Sequence, residues 1–132
     1  SEKQTVEIIK VLYRGADILI LDESTSMLDP EGRAEIMDVA KKLNASGITV
    51  ISITHNMDEA AQADRVIVLR KGRLVLDGTP KEVFASPEVE ACGLALPPPT
   101  EIARMLSERG FGFSETVTDE DALVEGICSQ SN

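Results

Sequence analysis

Residues 18–30 read Ile18-Leu19-Ile20-Leu21-Asp22-Glu23-Ser24-Thr25-Ser26-Met27-Leu28-Asp29-Pro30, and this stretch decides the fold. Ile18 to Leu21 is an unbroken run of isoleucine and leucine, the pattern of a parallel strand buried on both faces, and two acids end it. Asp29-Pro30 reads as an N-cap with proline at the first helical position. The helix it opens carries Ile36, Val39, Ala40 and Leu43 and stops between Asn44 and Gly47. Ile48 to Ile53 is a second buried strand. Strand, helix and strand in that order predict an α/β layered architecture with a mostly parallel sheet, because parallel strands need crossovers and the crossovers cover the sheet.

Upstream, Val6, Ile8, Ile9 and Leu12 fall at helical spacing between Glu2 and Tyr13, with Gly15 as the stop. Downstream, Thr54-His55-Asn56 is a loop, Met57 to Ala63 a short helix and Arg65 to Leu69 a third strand. Lys71-Gly72 turns that strand into Arg73 to Leu76, predicting a β-hairpin, and Thr79-Pro80 opens a helix over Lys81 to Ala85. Composition shifts at Leu94 to Pro99, where three consecutive prolines predict an extended, helix-incompatible connection. A division into residues 1–93 and 94–132 follows. In the second part, Ile102, Met105 and Leu106 mark one amphipathic helix ending near Gly110, and Ala122, Leu123 and Ile127 mark another over Asp119 to Cys128.

The 132 residues carry 13 Lys+Arg against 23 Asp+Glu, a formal net charge of −10. A surface of that sign repels nucleic acid and anionic membranes, so neither is an expected partner. With three Phe, one Tyr and no Trp, the core must be aliphatic, and aromatic platforms for stacking bases are nearly excluded. Cys92 and Cys128 show no metal-ligand or disulfide spacing and fit reduced thiols in a cytosolic compartment. Apolar runs fall short of the ~20 residues that span a bilayer, and the first residues do not form a signal peptide, so membrane association is expected through a partner.

Asp22 and Glu23 stand at the C-terminal tip of an apolar strand, the edge where open α/β sheets bind ligands. Hard oxygen ligands there suit Mg²⁺, and an adjacent glutamate suits polarising an attacking water. The same residues also read as a strand followed by solvent-facing acids. His55, the single histidine, follows the next strand, and adjacent parallel strands would bring both tips to one phosphate; alternatively it is a loop residue without a role. Ser26 to Asp29 is either a helix N-cap or a segment that meets a neighbouring subunit.

Ile18 to Glu23, Ser24 to Pro30 and Ser52-Ile53-Thr54-His55 together resemble the Walker B strand, D-loop and H-loop of ABC-transporter ATPases. The likeness continues through Asp64 to Leu69, Gly72-Arg73 and Asp77 to Phe84, covering about two-thirds of the chain. Glu2-Lys3-Gln4 sits where the family ends its LSGGQ-type signature, whose leading part is absent or replaced by Ser1; Thr5 stands where arginine is common. No G-x-x-x-x-G-K-[ST] phosphate loop and no Q-loop occur, so the resemblance implies the C-terminal part of a longer ATPase, a partial P-loop NTPase fold with a C-terminal helical extension. Such a part is not expected to bind or hydrolyse ATP appreciably by itself.

The segments from Thr25 to Pro30, from His55 to Ala60 and after the triple proline look like ATPases of energy-coupling-factor importers, which drive uptake of vitamins, cobalt or nickel; Val6 to Asp17 looks more like sugar or nucleoside importer ATPases. The resemblance implies ATP and Mg²⁺ as cofactors, with Asp22 on the metal, Glu23 on the water and His55 on the γ-phosphate. It implies Ser26, Asp29, Glu2 and Gln4 at a contact with a second ATPase subunit, a transmembrane transporter subunit as partner, and a place on the cytoplasmic face of the membrane. Readings from other classes are a phosphoacceptor receiver module, which needs a further aspartate where Thr54-His55 stand, and a non-catalytic interaction domain.

Overall fold

The computed structural model describes residues 2–130, apart from the side chains of Gln4, Thr5, Val11 and Tyr13. The elements in order are α1 (Glu2–Tyr13), β1 (Ile18–Asp22), α2 (Pro30–Ala45), β2 (Thr49–Ile53), α3 (Met57–Ala60), β3 (Val66–Arg70), β4 (Arg73–Gly78), α4 (Pro80–Ala85), α5 (Glu88–Ala91), α6 (Pro98–Ser107) and α7 (Glu120–Cys128). They form two compact units, residues 1–55 and 56–132.

In the first unit β1 and β2 pair in parallel, in register from Ile18 opposite Thr49 to Asp22 opposite Ile53. The α2 crossover that parallel pairing requires starts as expected: the Asp29 carboxylate accepts from the Gly32 amide at 2.8 Å and Pro30 occupies the first turn. Ile36 and Ala40 of α2 pack with Leu19, Leu21 and Ile8 into an aliphatic core. The expectation that β1 is buried on both faces is corrected. Leu19 and Leu21 are 4% and 6% exposed, whereas Ile18 and Ile20 are 54% and 61% exposed, so one face alone is covered. Of the apolar positions expected on α1, Ile8 is buried, but Val6 and Ile9 are exposed.

The second unit holds the hairpin. β3 and β4 pair antiparallel, and the turn between them places Lys71 (φ 51°) and Gly72 (φ 74°) both at positive φ, as a two-residue turn of right-handed twist demands. Among the described residues the strands thus make two two-stranded sheets, one parallel and one antiparallel, rather than the mostly parallel sheet expected. Thr79 and Glu82 form a reciprocal capping box at the start of α4. Val68, Val83, Phe84 and Val89 build a second core, and Ala103, Val117 and Leu123 a third.

The triple proline does not exclude helix. Pro97 is the extended N-cap (φ −54°, ψ 141°) and Pro98 and Pro99 fill the first turn of α6, where a missing N–H leaves no bond unmade. The face of α6 is also corrected: Pro99, Thr100 and Ala103 are buried, while Ile102 and Met105 are about half exposed. The Thr100 hydroxyl explains part of this by donating to the Val117 carbonyl at 2.6 Å, which turns that side of the helix inward. No helix among the described residues is long and apolar enough to cross a membrane; Cys92 is half-buried and Cys128 exposed.

Arg65 braces the hairpin by two parallel bonds to Asp77, at 2.7 and 2.6 Å. The hydrogen bond from Arg65 holds the Asp77 carboxyl below its ordinary range, against a smaller opposing effect of desolvation. A carboxyl depressed in the folded state stabilises fully above its unfolded value of about 4, and loses that contribution as pH falls through the lower folded value. Asp77→Asn is therefore expected to flatten the acid limb of stability below about pH 4, with wild type and variant converging at the lowest pH, as read from urea midpoints across pH.

Candidate functional site

The site is built by strand register. Because Asp22 stands opposite Ile53 across a parallel ladder, the residues that follow leave the sheet at one edge and side by side. The Glu23 amide donates to the Ile53 carbonyl at 2.8 Å, carrying the pairing one residue past the strand. Glu23 then adopts φ 48°, the left-handed region that costs a residue with a Cβ about 1–2 kcal/mol and that clusters where function holds it. Its carboxylate meets His55, with Oε1 2.9 Å from Nε2. Thr54 and His55 are the first residues beyond β2, so the pair closes across the two strand tips. Both side chains are open to solvent, His55 at 83% and Glu23 at 46%, so the pair adds little to stability and is available to a ligand.

Asp22, at the same tip, is exposed. Among the described residues no group of three His, Cys, Asp or Glu stands together as a self-contained metal site. A carboxylate exposed at a strand tip is a donor of the kind Mg²⁺ takes, since Mg²⁺ keeps several waters and uses one or two carboxylates together with substrate phosphates. Asp22 is the carboxylate so placed.

The loop after Glu23 is a chain of tight turns, Ser26 N–H to the Glu23 carbonyl at 3.2 Å and Leu28 N–H to the Thr25 carbonyl at 3.0 Å. Thr25 is buried at 4%, anchoring the loop from within, and Ser26 is exposed. Asp29 caps α2, as the first of its two readings has it. A Cβ on Gly32 would lie 3.0 Å from Asp29 Oδ1, which makes the small residue part of the cap. Two residues to which sequence reasoning gave no role of their own complete the loop. Met27 is 92% exposed at its crest, and the Arg33 Nε donates to the Leu28 carbonyl at 3.3 Å. Arg33 has a readable signal, a cation one turn inside a helix whose preceding loop carries free carbonyls. An exposed methionine has none. Glu2 is exposed in the first turn of α1, and no described contact brings it to Glu23 or His55; the Gln4 side chain lies outside the described residues.

No family model matches the chain. Known proteins do. Over 129 residues it is 49% identical to the energy-coupling factor transporter ATP-binding protein EcfA of Enterococcus faecium, which covers 96% of this chain and 46% of that protein. Over 130 residues it is 46% identical to EcfA1 of Caldanaerobacter subterraneus, across 97% of this chain and 47% of the relative. Among solved structures, cbiO1 from Clostridium perfringens, part of the ABC transporter complex cbiONQ, aligns with a TM-score of 0.60 and 39% identity over 80% of this chain and 42% of that one. A bacterial Atm1-family ABC exporter with ATP bound aligns with a TM-score of 0.55 and 30% identity, over 83% and 17%. The chain is a homologue of the ATP-binding proteins of ABC transporters. Within that class it is homologous to the EcfA-type proteins of energy-coupling factor transporters, and it spans about half the length of the curated relatives it matches.

Replacing the cap gives a direct check on the loop's geometry. Asp29→Ala is expected to cost about 1 kcal/mol by leaving the Gly32 amide unpaired, and Asp29→Asn to retain most of it. Urea unfolding of the two variants measures this.

Proposed function

We propose that this chain is the magnesium-and-water side of an ATP-hydrolysing subunit of an energy-coupling-factor-type importer for a vitamin or metal ion, acting within a protein that also supplies a glycine-rich phosphate loop. The observation that carries the reading is the Glu23–His55 pair, 2.9 Å apart at the ends of two in-register parallel strands and exposed to solvent. The 49% identity to a named EcfA supports it. So does the open apolar face of Ile18, Ile20, Ile51 and Ile53, because a parallel sheet is ordinarily covered on both sides and the relatives have as much chain again.

In this reading Asp22 would hold the Mg²⁺ that comes with the nucleotide, an ion that would supply charge neutralisation at the phosphates. Glu23 orients a water for in-line attack and accepts its proton at a carboxylate oxygen. His55 releases Glu23 and gives an N–H to a phosphate oxygen. Phosphoryl transfer depends on positioning and charge neutralisation, so these three groups act only beside a phosphate cradle. Ser26 and the exposed Met27 meet a second ATPase subunit, and a transmembrane partner holds the assembly on the cytoplasmic face of the membrane. The pair α6–α7, with Ile102, Met105 and Val124 exposed, belongs to that pairing.

Joining this chain to the remaining half of the E. faecium relative provides the test. Glu23→Gln in that protein should lower hydrolysis by roughly 100-fold or more while ATP binding persists. Preserved turnover refutes the assignment and favours a non-catalytic domain. Deleting residues 100–132 from the same protein should weaken association of two ATPase subunits in sedimentation; an unchanged dimer removes α6–α7 from the interface.

A further inference from the structure

We propose that α6, residues 113–117 and α7 form a lobe that swings away from α4 and α5 about residues 93–97, and that two exposed ion pairs hold it shut. The lobe is internally tied by bonds that do not depend on charge. Thr100 donates to the Val117 carbonyl at 2.6 Å; the Gln130 side chain takes the Gly112 amide at 2.7 Å and donates to the Gly112 and Gly126 carbonyls at 2.6 and 2.7 Å. Phe113 lies so close to α7 that a Cβ on Gly126 would come within 2.7 Å of its ring. Ala103, Val117 and Leu123 give the lobe its own core, separate from the one that Val83, Phe84 and Val89 supply to α4 and α5.

The seam between these two cores has a different character. A groove of about 470 Å³ runs along it, with Phe84 on one bank, Ala103 and Phe113 on the other, and Arg104 and Glu115 also in its lining. Unfilled space forfeits the dispersion contacts that would weld the two banks. Two ion pairs cross the seam near the groove, Lys81 of α4 to Glu115, and Glu90 of α5 to Arg104 of α6, the latter at 2.7 Å. Exposed pairs of this kind each shift an equilibrium by only a few-fold and are screened by salt. Opening also leaves Arg104 partnered, since Glu101 on its own helix holds it at 2.6 Å. The connection can absorb the motion. Gly93 (φ 80°) closes α5 with its amide on the Glu90 carbonyl at 2.9 Å, Leu94 and Leu96 pack on the α4–α5 core, and the exposed Ala95 and the buried Pro97 set the point from which α6 departs.

The device makes the C-terminal lobe responsive to ionic strength. Its test is made on the full chain with Cys128→Ser, using Ala103→Cys as a thiol in the groove and the native, half-buried Cys92 as an internal reference in the other core. Lys81→Gln with Arg104→Gln should speed modification of the introduced thiol by roughly 2- to 30-fold, the combined range for two exposed pairs, and leave Cys92 unchanged. Raising salt from about 20 to 500 mM, which shortens the screening length from roughly 20 to 4 Å, should do much the same to the parent and little to the double variant. Equal acceleration of both thiols would mean that the whole unit loosens, and no acceleration that the pairs hold nothing; either overturns the proposal. Spin labels on Ala85→Cys and Ser114→Cys, exposed residues on opposite banks, give an independent reading in the background lacking both native thiols. A longer distance should grow with salt, and a single invariant distance likewise overturns the lobe.

Discussion

The in-register pairing of β1 with β2 is the constraint on which the rest of the first unit depends. Side chains alternate along a strand, so a slip of one residue would turn Leu19 and Leu21 outward, away from Ile36 and Ala40, and would carry Ile18 and Ile20 into their place. The same slip would break the bond from the Glu23 amide to the Ile53 carbonyl and move His55 along the edge, away from the carboxylate it now meets. Packing and site geometry are therefore set by one register. The left-handed backbone at Glu23 follows from it, because the chain must turn out of the sheet immediately after its last ladder bond while Thr25, two residues on, is buried.

How much of this is legible in the sequence varies with how local each cause is. Asp29-Pro30 and the spacing of Ile36, Val39, Ala40 and Leu43 specify α2 through capping and periodicity, both short-range, and the helix is where they put it. Thr79-Pro80 and Lys71-Gly72 are equally local. The burial of Ile18 and Ile20 is not local. An unbroken aliphatic run looks the same whether one face or both are covered, and what covers a face is chain from elsewhere. The prolines at 97–99 were ambiguous for a different reason: proline forbids helix interiors but favours first turns, and which applies depends on where the helix starts. Ile102 and Met105 outnumber Thr100 and Ala103 in hydrophobicity, yet the hydroxyl bond to Val117 selects the other face. For the site, residue type at a strand tip made Asp22, Glu23 and His55 visible, and parallel neighbours made the pairing visible. Met27 lay within the segment read as a helix N-cap or a subunit contact, but its own exposure at the crest of the loop leaves no pattern in the sequence.

The site is predominantly acidic. At its edge the chain presents the carboxylates of Asp22 and Glu23 and one imidazole, in a molecule of net charge −10. A triphosphate brought to two carboxylates meets repulsion that His55 alone does not offset, above all while that ring is bonded to Glu23. A divalent ion beside Asp22, together with a nest of backbone amides and a lysine, would reverse the balance. It would also give His55 a better acceptor than Glu23, freeing the carboxylate for water. In the proposed reading the 2.9 Å pair is the resting arrangement of two groups, each satisfying the other until a phosphate cradle separates them.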